Sequence, residues 1–230
     1  VDGWLREEAL ATTSFPPPVQ AVRVANLYAE RYRRLACEVG AMEILFIAGN
    51  HDRMTRKIHA SDWVETTYTY VIAEIVKARL SRSSKVRVVL AKGETHIHGF
   101  MGRRYGFAHG HTIPAHLQTP NYRAERKYRD LYMDGVEYLD GLKVECLICG
   151  HFHQESSAYD GRVRFVPSLA GTNPWAKGKG FRSRPGQMMF LAGKHGIFNA
   201  TNYERTVGME DPVSHIDLEM FGDPEQLARG

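Results

Sequence analysis

A chain of 230 residues, 43% apolar and 24% charged, has the composition of a globular protein with one substantial core, so a single domain over residues 1–230 is expected. No apolar run approaches the roughly 20 residues that span a bilayer, and Val1-Asp2-Gly3-Trp4-Leu5-Arg6-Glu7-Glu8 lacks the basic start and apolar core of a secretory leader, which makes the cytoplasm the expected location. A net charge of +4 suits a polyanionic partner but is too small to diagnose a nucleic-acid binder, and three cysteines make no disulfide framework.

In chain order, residues 12–18 read as a loop, with Pro16-Pro17-Pro18 blocking a helix through it. Residues 19–39 have helical spacing of Val22, Ala25, Ala29, Tyr32 and Ala36, with Arg31, Arg33 and Arg34 on a solvated side. Residues 44–48 are a run of five apolar residues that reads as a buried parallel strand, and it breaks at Gly49 into Asn50-His51-Asp52-Arg53. Arg53, Arg56 and Lys57 form a basic group beside that break, suited either to solvent or to a phosphate. Ser61-Asp62 is placed to cap a helix over residues 63–80, whose apolar stripe is Trp63, Val64, Tyr68, Val71, Ile72, Ile75 and Val76.

Residues 86–91 are a β-branched strand, and residues 95–109 a strand pair turning at Gly102-Arg103-Arg104. In that pair His96 and His98 share one face and read as a surface pair. Residues 122–139 have a helical pattern with a basic face of Arg123, Arg126, Lys127 and Arg129. Residues 144–149 return to a short apolar strand that ends in Gly150-His151-Phe152-His153. Cys146 and Cys149 have redox or zinc spacing, but three positions apart in a strand they face opposite ways, so buried thiols are expected. A hairpin follows over residues 156–166, turning at Asp160-Gly161. Next come a basic loop, Lys177-Gly178-Lys179-Gly180-Phe181-Arg182, and a closing strand pair over residues 187–191 and 197–200. Alternating helices and strands with a hairpin-rich end fit an α/β domain with mixed sheets.

Three stretches place Gly and His at strand mouths: Gly49-Asn50-His51-Asp52, His109-Gly110-His111 and Gly150-His151-Phe152-His153. An amide oxygen and imidazoles in such positions suit a borderline divalent cation and proton transfer. In this order they resemble the motifs of the calcineurin-like metallophosphoesterase family, in particular its phage and bacterial exonuclease-like members. The resemblance implies a four-layer αββα sandwich with a metal site at the carboxyl ends of its strands. It also implies two divalent ions, with Mn favoured over Fe or Zn, which activate a water for attack on a phosphoester. Carried over, Asn50, His109 and His151 bind one ion and His153 the other, with His111 a weaker candidate. His51 contacts the phosphate and protonates the leaving oxygen, and Asp52 orients its ring. Arg53, Lys177, Lys179 and Arg182 are the expected substrate contacts, with DNA the expected partner.

The family's Asp-x-His and first Gly-Asp motifs are absent, so the domain is expected to be incomplete at its amino terminus and impaired in catalysis. Val1-Asp2-Gly3 looks like the tail of the second motif, and Asp2 is not taken as the bridging ligand. The alternatives are a phosphoprotein or nucleotide phosphatase, or a non-catalytic nucleic-acid-binding or scaffold relative.

Overall fold

The structure is a computed structural model, and it describes residues 14–55, 64–112, 144–153, 155–158, 161–169 and 185–204. The first helix, α1, spans Pro17–Val39. It begins two residues earlier than expected, because Pro17 and Pro18 occupy its first turn, where the N–H that proline lacks has no intrahelical acceptor. Its buried ridge is Ala21, Ala25, Ala29 and Ala36, while Val22, expected inside, is exposed. Small side chains four apart bring α1 close to the second helix, α2, Tyr68–Leu80, whose Ile72, Val76 and Leu80 complete the same cluster. Between them in sequence is β1, Met42–Phe46, which pairs in parallel with β2, Val86–Leu90. The helices cover this pair through Ile44, Met42, Phe46, Val86 and Val88.

The expected strand over residues 44–48 therefore sits two residues too late. The ladder closes with the Ala91 N–H donating to the Phe46 carbonyl at 2.9 Å. Beyond it, Ile47, Ala48 and Gly49 leave the ladder and carry Asn50 and His51 towards the second sheet. That sheet has five strands: β3 Thr95–Phe100, β4 Arg103–Ala108, β5 Val144–Cys149, β6 Ser156–Ala158 and β7 Val163–Phe165. Their order is β3-β4-β5-β7-β6, with β4, β5 and β7 parallel to one another and antiparallel strands at both edges. The molecule is thus α/β with a mixed sheet. The β3–β4 connection turns at Met101-Gly102, not at Gly102-Arg103-Arg104. Both turn residues have positive φ, 51° and 75°, which matches the twist of a two-residue hairpin.

Strand β5 is buried on both faces, as its apolar run requires. Leu147 and Cys149 join Ala108, Val163 and Phe165 on one side. Cys146 and Ile148 join Tyr105 on the other, under Phe190, Ala192 and Ile197 of the hairpin β8 Gly186–Gly193 and β9 Gly196–Glu204. The two thiols face opposite ways, as strand alternation demands. Among the described residues no helix is long and apolar enough to cross a membrane. The expected helix over residues 122–139 and the basic loop with Lys177, Lys179 and Arg182 lie outside the described residues.

Candidate metal centre

Parallel strands deliver their following residues to one edge of the sheet, and β4 and β5 are parallel neighbours. His109 follows β4 directly, and His151 and His153 follow β5 across Gly150. The two turns are held together by backbone, since the Gly150 N–H donates to the Ala108 carbonyl at 3.2 Å. Gly110, with φ +97°, lies in the left-handed region, and a Cβ there would stand 3.1 Å from the Gly150 carbonyl oxygen. The glycine thus lets the two histidine-bearing turns touch. His151 and His153 themselves have φ of 71° and 55°, backbone that non-glycine residues adopt seldom and that concentrates at functional sites.

The ring centroid of His109 is 5.2 Å from that of His151 and 5.5 Å from that of His111. The loop after β1 reaches this cluster, with Asn50 Oδ1 3.0 Å from His109 Nε2. Gly49 makes the approach feasible, because a side chain there would meet the His109 ring at 3.0 Å. Burial, reinforced by His151, His111, His51 and His153, pushes His109 down to about 3. Burial, then His111, His51 and His153, pushes His151 down to about 4, and burial with His51 lowers His153. These rings therefore keep neutral nitrogens with free lone pairs at neutral pH, the form in which imidazole binds a metal.

Among the described residues, no three His, Cys, Asp or Glu side chains form a metal-holding group. An amide would be the third donor beside His109 and His151, since the Asn50 oxygen touches His109. By donor chemistry, an amide oxygen and neutral imidazoles fit a single borderline divalent ion.

Asp52 is 7% exposed, and both of its carboxylate oxygens accept from backbone: Oδ1 from the Gly49 N–H at 3.1 Å and Oδ2 from the Thr69 N–H at 2.9 Å. Its neighbour Arg53 pairs with Thr67 in an antiparallel bridge, and the Arg53 Nε is buried with no hydrogen-bond partner among the described residues. Helix α2 starts at Tyr68, not near residue 63, because Thr67 is its cap: Thr67 Oγ1 accepts from the Tyr70 N–H at 3.2 Å and donates to the Val64 carbonyl at 2.7 Å. Ser61 and Asp62 lie outside the described residues.

The structure therefore gathers Asn50, His51, His109, His151 and His153, and it brings His111 in with them. The His111 side chain is 7% exposed, and its Nε2 stands 3.9 Å from Glu94 Oε1. Its spacing of two from His109 was the signal for it, whereas Glu94 belongs to a separate stretch before β3 and carried no signal. The half-buried rings of His96 and His98 stack with their centroids 6.2 Å apart, and His98 Nδ1 stands 3.0 Å from Glu43 Oε1.

Fold and site together define an α/β domain that collects histidines and one asparagine at the carboxyl ends of its strands. No family model matches the chain, and no curated protein matches it. Among solved structures it is similar to Vps29 from Entamoeba histolytica in three forms. With a single mutant the TM-score is 0.38 at 15% identity, covering 78% of this chain and 88% of that one. With the wild type complexed with zinc it is 0.38 at 15% identity, covering 72% and 84%. With a double mutant it is 0.36 at 15% identity, covering 77% and 88%.

Proposed function

We propose that this protein is a metal-dependent phosphoester hydrolase of the calcineurin-like metallophosphoesterase type, acting on phosphodiesters and on DNA first among them. The observation that carries the reading is the meeting of Asn50 Oδ1 and His109 Nε2 at 3.0 Å, with His151 beside them, from three separate strand ends.

Asn50, His109 and His151 would hold one ion, and His153 offers an imidazole to a second. A bound divalent ion, Mn, Fe or Zn, supplies a Lewis acid and a nucleophile at neutral pH. The residues around it do the rest. His51, on the loop that carries Asn50, holds a proton on a ring nitrogen and delivers it to the leaving oxygen. Arg53 presents a buried guanidinium nitrogen whose lost hydration a phosphate oxygen would restore. Burial keeps His109 and His151 neutral, so neither competes with substrate for protons. Lys177, Lys179 and Arg182 are proposed to track a nucleic-acid backbone.

The test is manganese and zinc content of the purified chain by elemental analysis, with His151→Ala as control, alongside rates on single-stranded DNA, a phosphopeptide and a simple phosphodiester. Metal that is lost in the control, with hydrolysis of DNA above the other two, is the expected result. Metal binding without hydrolysis would leave the scaffold alternative standing, and equal rates on all three substrates would remove the DNA preference.

A further inference from the structure

A helix begins with backbone N–H groups that have no intrahelical acceptor. In α2 the first three are those of Tyr68, Thr69 and Tyr70, and the first turn contains no acidic residue. The Tyr70 N–H is met by the helix's own cap, Thr67 Oγ1, at 3.2 Å. The other two are met from outside the helix by a single residue. The Tyr68 N–H donates to the Asp52 carbonyl oxygen at 2.8 Å, and the Thr69 N–H donates to Asp52 Oδ2 at 2.9 Å. Two residues further along the loop, the Met54 N–H donates to the Thr66 carbonyl at 2.8 Å, and Arg53 bridges Thr67 between them. The second carboxylate oxygen of Asp52 turns back and accepts the Gly49 N–H at 3.1 Å. One buried side chain therefore closes the loop over Asn50 and His51 and fastens it to the helix. Its negative charge lies at the positive end of the α2 dipole.

We infer that Asp52 is a positioning residue that makes the start of α2 and the Asn50-His51 loop one mechanical unit, so that the helix sets where the Asn50 oxygen stands. The inference rests on the proposed metal-binding role of Asn50, but its first readout does not. Between β1 and the Arg53–Thr67 bridge, residues 47–52 lie in no strand among the described residues, and Gly49 leaves the loop's entry without a side chain to pack. Among the described residues, three hydrogen bonds to residues 66–69 hold its far end. A carboxylate that only steered the His51 ring would have no need to span Gly49 and Thr69.

Asp52→Ala and Asp52→Asn, compared with wild type, decide the matter through amide hydrogen exchange followed by NMR. With alanine, exchange at both Gly49 and Thr69 speeds up about tenfold or more, as two hydrogen bonds are lost locally. With asparagine, which keeps one acceptor oxygen, one of the two amides stays protected and the other does not, and this conservative variant guards against misfolding of the first. Divalent metal affinity falls about 10–100-fold in the alanine variant and less in the asparagine variant. Unchanged exchange at Gly49 and Thr69, or faster exchange there with unaltered metal affinity, overturns the inference. If wild type binds no metal, the proposed function fails, while the exchange result still decides whether Asp52 joins loop and helix.

Discussion

A methyl group added at Gly49 would stand 3.0 Å from Cε1, 3.1 Å from Nδ1 and 3.3 Å from Nε2 of His109. Carbon atoms in comfortable contact are about 3.5–4.0 Å apart, so in Gly49→Ala the ring must withdraw by about 0.5 Å. The Asn50 Oδ1 to His109 Nε2 contact, now 3.0 Å, then opens to about 3.5 Å, beyond a good hydrogen bond. Ligand sets tolerate about 0.5 Å of misplacement before they fail, and losses of about 10–100-fold in metal affinity accompany disturbed ligand orientation. The fold should hardly notice, since Gly49 is outside the left-handed region and the obstacle is a side chain rather than backbone. Destabilisation under about 1 kcal/mol is expected. Titration calorimetry with manganese and zinc, paired with urea denaturation, measures both quantities. Gly93→Ala is the control, because a Cβ there meets nothing within 4 Å. Wild-type affinity in Gly49→Ala, or an equal loss in Gly93→Ala, would refute the account of how the loop reaches His109.

Thr67 and Cys146, both buried and away from the histidines, set three further outcomes. Thr67 is fully buried, and Thr67→Val keeps its shape while removing the hydroxyl that serves Tyr70 and Val64, which should cost about 1–2 kcal/mol in a urea melt; a change under about 0.5 kcal/mol would mean that α2 does not depend on this cap. Burial raises the Cys146 thiol to about 11, whereas Cys37 is exposed, so iodoacetamide at pH 8 should modify Cys37 first, and mass spectrometry would contradict this by finding Cys146 labelled as fast. Since the folded chain retains the Cys146 proton between its ordinary value near 9 and about 11 while the unfolded chain has lost it, this thiol's contribution to stability declines as pH rises through that window.

Elements whose cause is local were legible in the order of residues. Strand β5 came out at its predicted residues because six consecutive apolar or alternating positions between turn signals leave little else to form. The opposite facing of Cys146 and Cys149 followed from strand periodicity alone. That Asn50, His51, His109, His151 and His153 come together was legible because glycine-histidine breaks after apolar runs mark where a strand hands over to a loop. Boundaries set by backbone partners were not legible. Pro17 and Pro18 open α1 where they were expected to block it, and α2 starts at Tyr68, where Thr67 and Asp52 supply acceptors from two parts of the chain.

Packing in three dimensions was needed to bring Glu94 up to His111, and to make Gly49 and Gly110 the gaps through which two turns and a loop meet. It also decided that the Asp52 carboxylate is committed to Gly49 and Thr69. A one-dimensional pattern records which groups a strand delivers. It does not record which N–H groups elsewhere lack an acceptor, and where three-dimensional packing leaves such groups determines what a buried carboxylate does.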